Sequence, residues 1–476
     1  MTTSPIRTNR DESSLHTSPK ALRRLLILDD DPTGSQCVAG IDVVFETDPA
    51  IPAEVLAEPD SACFVLTNTR ALGEAEAVAR NRELIAGILN TGVPVGGLHV
   101  VSRSDSTLRG HVIAEPHAIA DELAAHGREV DAFVFCPAMI EAGRFTENDV
   151  HYATVGGEAV EVARTDFARD ATFGYEHSDL RQFLAERSQR EVTPGRRVAA
   201  EDVLSISLAD IRGGGRDRVK EILATARDRR WVVINATEYA DMEVVAAAMA
   251  ELQAEGRSFV TRCAPSFVRP LAGQVSAHVV DADSIGVPDG RLDYGLVVVG
   301  SHVGLTTSQL RVVQQRGTLV EVELHVPSVL DERREQHIRD IAARVRDTLE
   351  RADCVIYTSR DLVRADDPDA SLAIARSVSD AIVEVVRLVR SARPAWVVAK
   401  GGISSHEVAE HGLGIRRATV EGQFWPGQVS LFEAREAPVE VLGAPYVVFP
   451  GNVGDESALA DVVDVLADAT ARSSAT

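Results

Sequence analysis

The feature that most constrains this chain is an alternation. Runs of four or five residues rich in Val, Ile and Leu keep exchanging with stretches whose apolar residues recur every three or four positions. The runs Arg24–Leu28, Asp42–Glu46, Ala62–Leu66, Leu98–Ser102, Asp131–Phe135 and Trp231–Asn235 are expected as strands. So are Gly295–Val299, Thr318–Val322, Cys354–Tyr357, Trp396–Ala399 and Tyr446–Phe449. Between them, EAEAVARNRELIAGILN and EVVAAAMAELQAEG have the helical period. Strand and helix in alternation imply an α/β fold with mostly parallel sheets, whose ligands bind beyond the carboxyl ends of the strands.

At 476 residues the chain is long for one domain. The polar stretch DADSIGVPDGRLD, residues 281–293, has no apolar period and reads as a linker. It divides an N-terminal domain, 21–280, from a C-terminal domain, 294–467, with the site in the cleft between two α/β domains. RGGGRDR at 212–218 is a second, lesser break, and residues 1–20 and 468–476 read as disordered tails.

The net charge of −23 argues against nucleic acid or an anionic membrane as partner. An anionic small molecule must then be gripped locally, by Arg, Lys, backbone N–H groups or a metal. No apolar run approaches the roughly 18 residues that a membrane span needs, and the N-terminus lacks the apolar core of a secretory signal. Cys37, Cys63, Cys136, Cys263 and Cys354 are far apart and form no CxxC pair, so free buried thiols in a reducing cytoplasm are expected. HEVAEH at His406–His411 lacks the His-to-His spacing of a zinc protease.

LLILDDDPTGSQ, Leu25–Gln36, ends an apolar run on three aspartates. Read alone, Asp29-x-Asp31 resembles the first motif of haloacid-dehalogenase-type phosphatases, with a nucleophile, a general acid/base and magnesium between them. FVLTN, VVAK and GDESALAD could supply the remaining parts, but the acidic pair would fall more than 400 residues downstream. Such catalytic cores are compact. SRSDSTLRGH, Ser102–His111, also follows an expected strand. Its arginines, hydroxyls and Asp105 suit a small polyhydroxy anion: Arg binds a carboxylate at two points, and Asp105 can accept from substrate hydroxyls. Asp105 or Ser106 could instead cap a helix beside a surface arginine.

DDPTGS followed by SDSTLRGH resembles the paired motifs of the four-carbon acid sugar kinases. The resemblance continues in order through LTNTRAL, CPAMIEAGRFTENDVHY and RCAPSFVRPLAG in the first half, then VVVGSHVGLTTSQL, AKGGISSHEVAEHGLG, GQFWPGQ and FPGNVGDESAL. It implies an N-terminal domain that binds the sugar acid and a C-terminal domain that binds ATP with Mg2+. The reaction would be phosphorylation of a 3-oxo-tetronate, threonate or erythronate on its terminal hydroxyl, by a cytoplasmic enzyme. Asp30 and Asp31 become the candidate catalytic carboxylates. Thr33, Gly34, Arg70, Arg103, Asp105, Ser106, Thr107, Arg109 and Arg144 become the substrate candidates, with Arg109 the leading carboxylate clamp and Arg103 second. Ser301, Lys400, Gly401, Gly402, Ser404, Ser405, Gly451 and Gly454 are the nucleotide candidates, because glycine turns after strands let backbone N–H groups approach phosphate. Mg2+ would be carried by phosphate and water, so no protein ligand set is expected. GGISS and FPGNVG depart from the commoner family forms by losing an acid and a lysine. A non-catalytic sugar-acid-binding descendant therefore stays beside the kinase and phosphatase readings, and homodimerisation is left open.

Overall fold

A computed structural model describes residues 23–31, 34–190, 196–301, 303–360 and 368–473. The first half contributes β1 (Arg24–Asp29), β2 (Ile41–Val44), β3 (Ala62–Leu66), β4 (Leu98–Arg103), β5 (Ala132–Cys136), β6 (Arg144–Glu147), β7 (Val150–Val155), β8 (Glu158–Glu161), β9 (Leu204–Ile206), β10 (Arg230–Ile234) and β11 (Phe259–Cys263). The second contributes β12 (Leu296–Val299), β13 (Val320–Leu324), β14 (Cys354–Thr358), β15 (Val397–Lys400), β16 (Arg417–Gln423), β17 (Ser430–Glu436) and β18 (Pro445–Phe449). Each of the eleven expected runs overlaps one of these strands. The two sequences with helical period form the helices Glu74–Asn90 and Tyr239–Ala254.

The architecture is α/β, and its sheets are more united than two separate domains imply. Fifteen strands form one sheet in the order β13-β14-β12-β15-β18-β17-β16-β2-β3-β1-β4-β11-β5-β10-β9. From β2 to β9 all pairs are parallel, as they are from β13 to β18. The antiparallel pairs β18–β17, β17–β16 and β16–β2 join the two blocks. Three reversals leave the blocks running in opposite directions. Six steps separate β15 from β1. A twist of ~20–25° per step turns the strands by roughly 120–150° over that span, which offsets most of the reversal. Loops at the carboxyl ends of both blocks can therefore border one cavity.

Alternation along the strands sets the core. In β1, Leu25 and Ile27 face one apolar cluster and Leu26 and Leu28 another, so the sheet is covered on both faces. The first of these clusters also holds Val298, Ile356 and Ala399 and thus runs through both halves. At the junction, Ile41–Val44 pair with Arg417–Val420. Arg416 bridges Glu46 at 3.0 Å and Asp48 at 3.2 Å across the same seam.

Several expectations are corrected. Residues 468–473 are not a tail: they complete the helix Ala458–Ser473, whose Leu466, Ala469 and Thr470 are buried. Residues 1–20 and 474–476 lie outside the described residues. RGGGRDR lies inside the helix Leu208–Thr225, kinked at Gly215, where φ is 64°. The stretch 281–293 has no regular element, but Ile285 packs into the core of the second half. Strands β6–β8, β9, β11, β16 and β17 were not foreseen. Charged or polar residues break their apolar runs, as Arg262 does in β11 and Glu433 and Arg435 do in β17. All five cysteines are free and buried. Among the described residues, no helix is long and apolar enough to cross a membrane.

The shared sheet and shared core should make the halves unfold together. Variants keeping only Trp231, in the first half, or only Trp396, in the second, should report the same denaturant midpoint by fluorescence. Two separated midpoints would show that the seam does not couple the halves.

Candidate active site

Strands β3, β1, β4 and β11 lie side by side and parallel, so their carboxyl ends meet. Asp29 closes β1 and Arg103 closes β4. They are register partners, and their side chains form a buried ion pair. Asp29 is 0% exposed and its carboxylate also accepts the Asp31 N–H at 3.2 Å. The Gly34 turn packs directly on this pair, and a Cβ there would overlap both partners. Asp30 is buried among Arg70 at 3.4 Å and Arg103 and Arg262 at 3.7 Å. Burial pushes its carboxyl up to about 7, against the pull of Arg70 and Arg262. Only Asp31 of the three lines the cavity, where Arg70 holds it at 2.7 Å.

The backbone explains how Arg70 comes to this place. The N–H groups of Thr67 and Asn68 donate to the Asp29 carbonyl, and Arg70 N–H donates to that of Asp30. The end of β3 is thereby zipped onto the end of β1. Arg262, on β11, reaches beneath them to pair with Glu115 and to donate to Ser102 Oγ at 2.6 Å.

The loop after β4 forms the next wall. Leu108 is held in the left-handed region at φ 68°, and Gly110 at φ 110° approaches Arg262 and Asp30 so closely that a Cβ would lie 2.9 Å from each. Tyr175 Oη donates to Thr107 O at 2.8 Å, and His151 bonds Ser106 O at 2.9 Å. These contacts present Asp105, Ser106, Thr107 and Arg109 to the cavity. Burial alone would raise the Asp105 carboxyl. Arg70 and Arg109, with hydrogen bonds from Arg109 and Thr107, instead hold it well below the usual carboxylate range. Arg109 is not a free clamp, because its Nε donates to Asp105 at 2.8 Å and its Nη1 lies 3.8 Å from Asp170. Arg103, the second expected clamp, lines the cavity but is 3% exposed and committed to Asp29. Thr33 lies outside the described residues.

The cavity has a volume of about 710 Å³ and lies between the halves. Facing the aspartate wall is the turn after β18, Pro450–Asp455, followed by the N-terminal end of the helix Ala458–Ser473. Of the nucleotide candidates, Gly451 and Gly454 line the cavity. Ser301 lies just behind: its Oγ would be 3.2 Å from a Cβ on Gly451. Lys400, Gly401 and Ser405 are set back. Lys400 is 0% exposed, donates to Pro450 O at 2.6 Å and stands 3.9 Å over the Phe449 ring. It braces the glycine turn from beneath instead of reaching into the cavity. Gly401 donates its N–H to Phe449 O, and Ser405 spends its hydroxyl on the carbonyls of Ala399 and Gly401. Gly402 and Ser404 belong to the short helix Gly402–Glu407.

Sequence reasoning did not single out Arg262, Glu115, Glu141, Phe167, Trp425, Gln428, Asn452, Asp455 or Asp461. The first two form the buried support and the others line the cavity. Glu141, Arg262, Trp425, Gln428, Asn452 and Asp455 stand within stretches quoted for the resemblance, and that was the available signal. Phe167 stands in no motif.

The chain matches the model of a sugar-binding N-terminal domain over residues 25–271 and that of a nucleotide-binding C-terminal domain over 296–459. The chain belongs to the family that joins these two domains, the architecture of the four-carbon acid sugar kinases. Comparison with curated proteins finds no match. Among solved structures, Haemophilus influenzae protein HI1011 is similar at a TM-score of 0.64 and 17% identity, over 94% of this chain and 100% of its own. A Salmonella typhimurium LT2 protein carrying a provisional tRNA synthase name is similar at 0.63 and 18%, over 91% and 97%. At such identities the likeness concerns the fold. In this family member the sugar-binding match contains the aspartate wall and the nucleotide-binding match the facing glycine turn.

Burial pushes the Lys400 ammonium down to about 7. Between that pH and its ordinary value near ~10.4, the unfolded chain binds a proton that the folded chain does not, so stability rises with pH across this window. Below the window the full penalty of a buried charge remains. Urea denaturation of wild type and Lys400→Met from pH 6.5 to 10 should show the variant losing this slope. An unchanged slope would mean that Lys400 stays charged in the fold.

Proposed function

We propose that this protein is an ATP-dependent kinase that phosphorylates a four-carbon sugar acid, of 3-oxo-tetronate, threonate or erythronate type, on its terminal hydroxyl. The observation that carries the reading is the shared cavity. Carboxylates and arginines from the sugar-binding half stand on one wall, and a glycine turn with a helix N-terminus from the nucleotide-binding half stands on the other. Phosphoryl transfer needs two anionic reactants positioned in line, with little covalent chemistry from the protein.

The residues present fit a nucleotide. The turn Pro450–Asp455 exposes backbone to the cavity, Gly454 has a positive φ of 80°, and the helix that follows points its N-terminal end the same way. Gly451 and Gly454 would hold the phosphates, with Ser301 behind them. Among the described residues, no group of three or more His, Cys, Asp or Glu is arranged to hold a metal. Mg2+ would be carried on phosphate oxygens, where it supplies neutralising charge.

Asp31 is the general base in this reading, because it lines the cavity while Asp29 and Asp30 are buried. It accepts the proton of the terminal hydroxyl as that oxygen attacks the γ-phosphorus and ADP departs. Asp30 tunes it from behind and Arg70 orients both. Asp105, Ser106 and Thr107 bind the substrate hydroxyls. The phosphatase alternative needs a phosphorus atom to reach the Asp29 carboxylate, which is fully buried and sealed by Arg103 and the Gly34 turn.

Purified protein should release ADP from Mg-ATP only when one of these acids is supplied, in a coupled assay. No release above background with tetronates, threonate or erythronate would refute the kinase assignment. Asp31→Asn should lower kcat by ~10²-fold or more with little change in either KM. A Cβ on Gly454 would lie 2.5 Å from that of Ala458, so Gly454→Ala should raise the KM for ATP several-fold and spare that for the acid. Equal effects on both substrates would remove the turn from the nucleotide site.

A further inference from the structure

The cavity arginines differ in what they already hold. Arg70 has Asp31 at 2.7 Å, Asp30 at 3.4 Å and Asp105 at 3.5 Å. Arg103 has Asp29, and Arg109 has Asp105 at 2.8 Å. Arg144 also lines the cavity, yet no carboxylate of the described residues lies within ion-pair distance of it. Among the described residues its one side-chain contact of hydrogen-bond type is a weak one, to Met139 Sδ at 3.9 Å, and its buried Nε has no acceptor.

The position is nevertheless well built. Arg144 begins β6, and its backbone exchanges hydrogen bonds with Met139 at 2.9 and 3.0 Å, so its Cα is fixed. Its guanidinium and that of Arg109 each stand over the Phe167 ring, with Cζ 5.6 Å from its centre, within cation–π range. Burial pushes the Arg144 pKa down; the Asp105 carboxylate opposes that, and the like charge of Arg109 adds a smaller push in the same direction as burial. A half-buried guanidinium beside another cation, with Asp105 beyond ion-pair distance and already held by Arg70 and Arg109, is costly until an anion arrives. A carboxylate suits it because its two oxygens match the planar fork. The glycine turn that suits phosphate belongs to the other half.

We propose that Arg144, seated on Phe167, is the residue that reads the substrate's carboxylate and makes the enzyme select acids over neutral sugars. Arg109 serves as a positioning residue that holds Asp105 for the substrate hydroxyls. The assignment rests on the sugar-acid reading of the cavity and deepens it.

The test uses the full-length protein, with threonate, erythronate and their primary amides as probes in calorimetric titration, beside steady-state kinetics. Wild type should bind the preferred acid at least tenfold more tightly than its amide. Arg144→Gln should erase that preference and raise the KM for the acid at least tenfold, leaving the KM for ATP within twofold. Arg144→Lys, which keeps the charge without the fork, should recover part of the preference and guards against a folding defect in the glutamine variant. An acid preference that survives in Arg144→Gln, a wild type without one, or a rise confined to the KM for ATP would each overturn the proposal. A preference present in wild type, lost in Arg144→Gln and accompanied by no ADP release would support the proposal while refuting the kinase reaction.

Discussion

Three consecutive carboxylates at the end of a buried strand are the constraint on which the rest of this site depends. Asp29 and Asp30 are taken out of water, and each needs positive charge that only neighbouring strands can supply. Arg103 comes from β4, Arg262 from β11 and Arg70 from the turn after β3. The parallel register that aligns these strand ends is therefore also what makes the acidic triplet tolerable. Removing Arg103 would strip the buried Asp29 carboxylate of its ion-pair partner, a costlier change than the net worth of that pair.

That arrangement divides the triplet by depth. Asp29 is consumed by structure, Asp30 is poised behind it, and Asp31 alone lines the cavity. The same division operates on the opposite wall. Lys400 stands at the end of β15, where a phosphate-binding lysine would be useful, but its ammonium is turned under the Pro450 carbonyl. The glycine turn is what lines the cavity. In both walls a charged side chain at a strand end is buried as support beneath residues that line the cavity.

Much of the fold was legible. Strands covered on both faces are continuous apolar runs, and eleven of them stand out without knowledge of their neighbours. Three of the unforeseen strands lie beneath the candidate site or at the seam. β11 places Arg262 under the site, and β16 and β17 weld the halves together, so polar residues interrupt the pattern that would have revealed them. The described candidates around the aspartates do gather at one place, because the motifs that begin at Asp30 and Ser104 follow adjacent strands. Arg262, Glu115 and Phe167 were hidden for a physical reason. Arg262 is buried in a strand, Glu115 in a helix, and Phe167 is half-exposed in the short 3-10 helix Asp166–Arg169; apart from the motif around Arg262, none has a local pattern that distinguishes it from an ordinary core or surface residue.

The sequence by itself determined the α/β class, the strand ends on which ligands can sit and the ordered motifs of a two-domain family, because periodicity and turn chemistry are local properties. Tertiary structure alone decided which of three adjacent aspartates lines the cavity, which arginines are already spoken for and that the two halves share a sheet. Those outcomes depend on register and on the accumulated twist between strands far apart in the chain. A side chain's availability is set by the partners that packing brings to it, and no short stretch of sequence contains them.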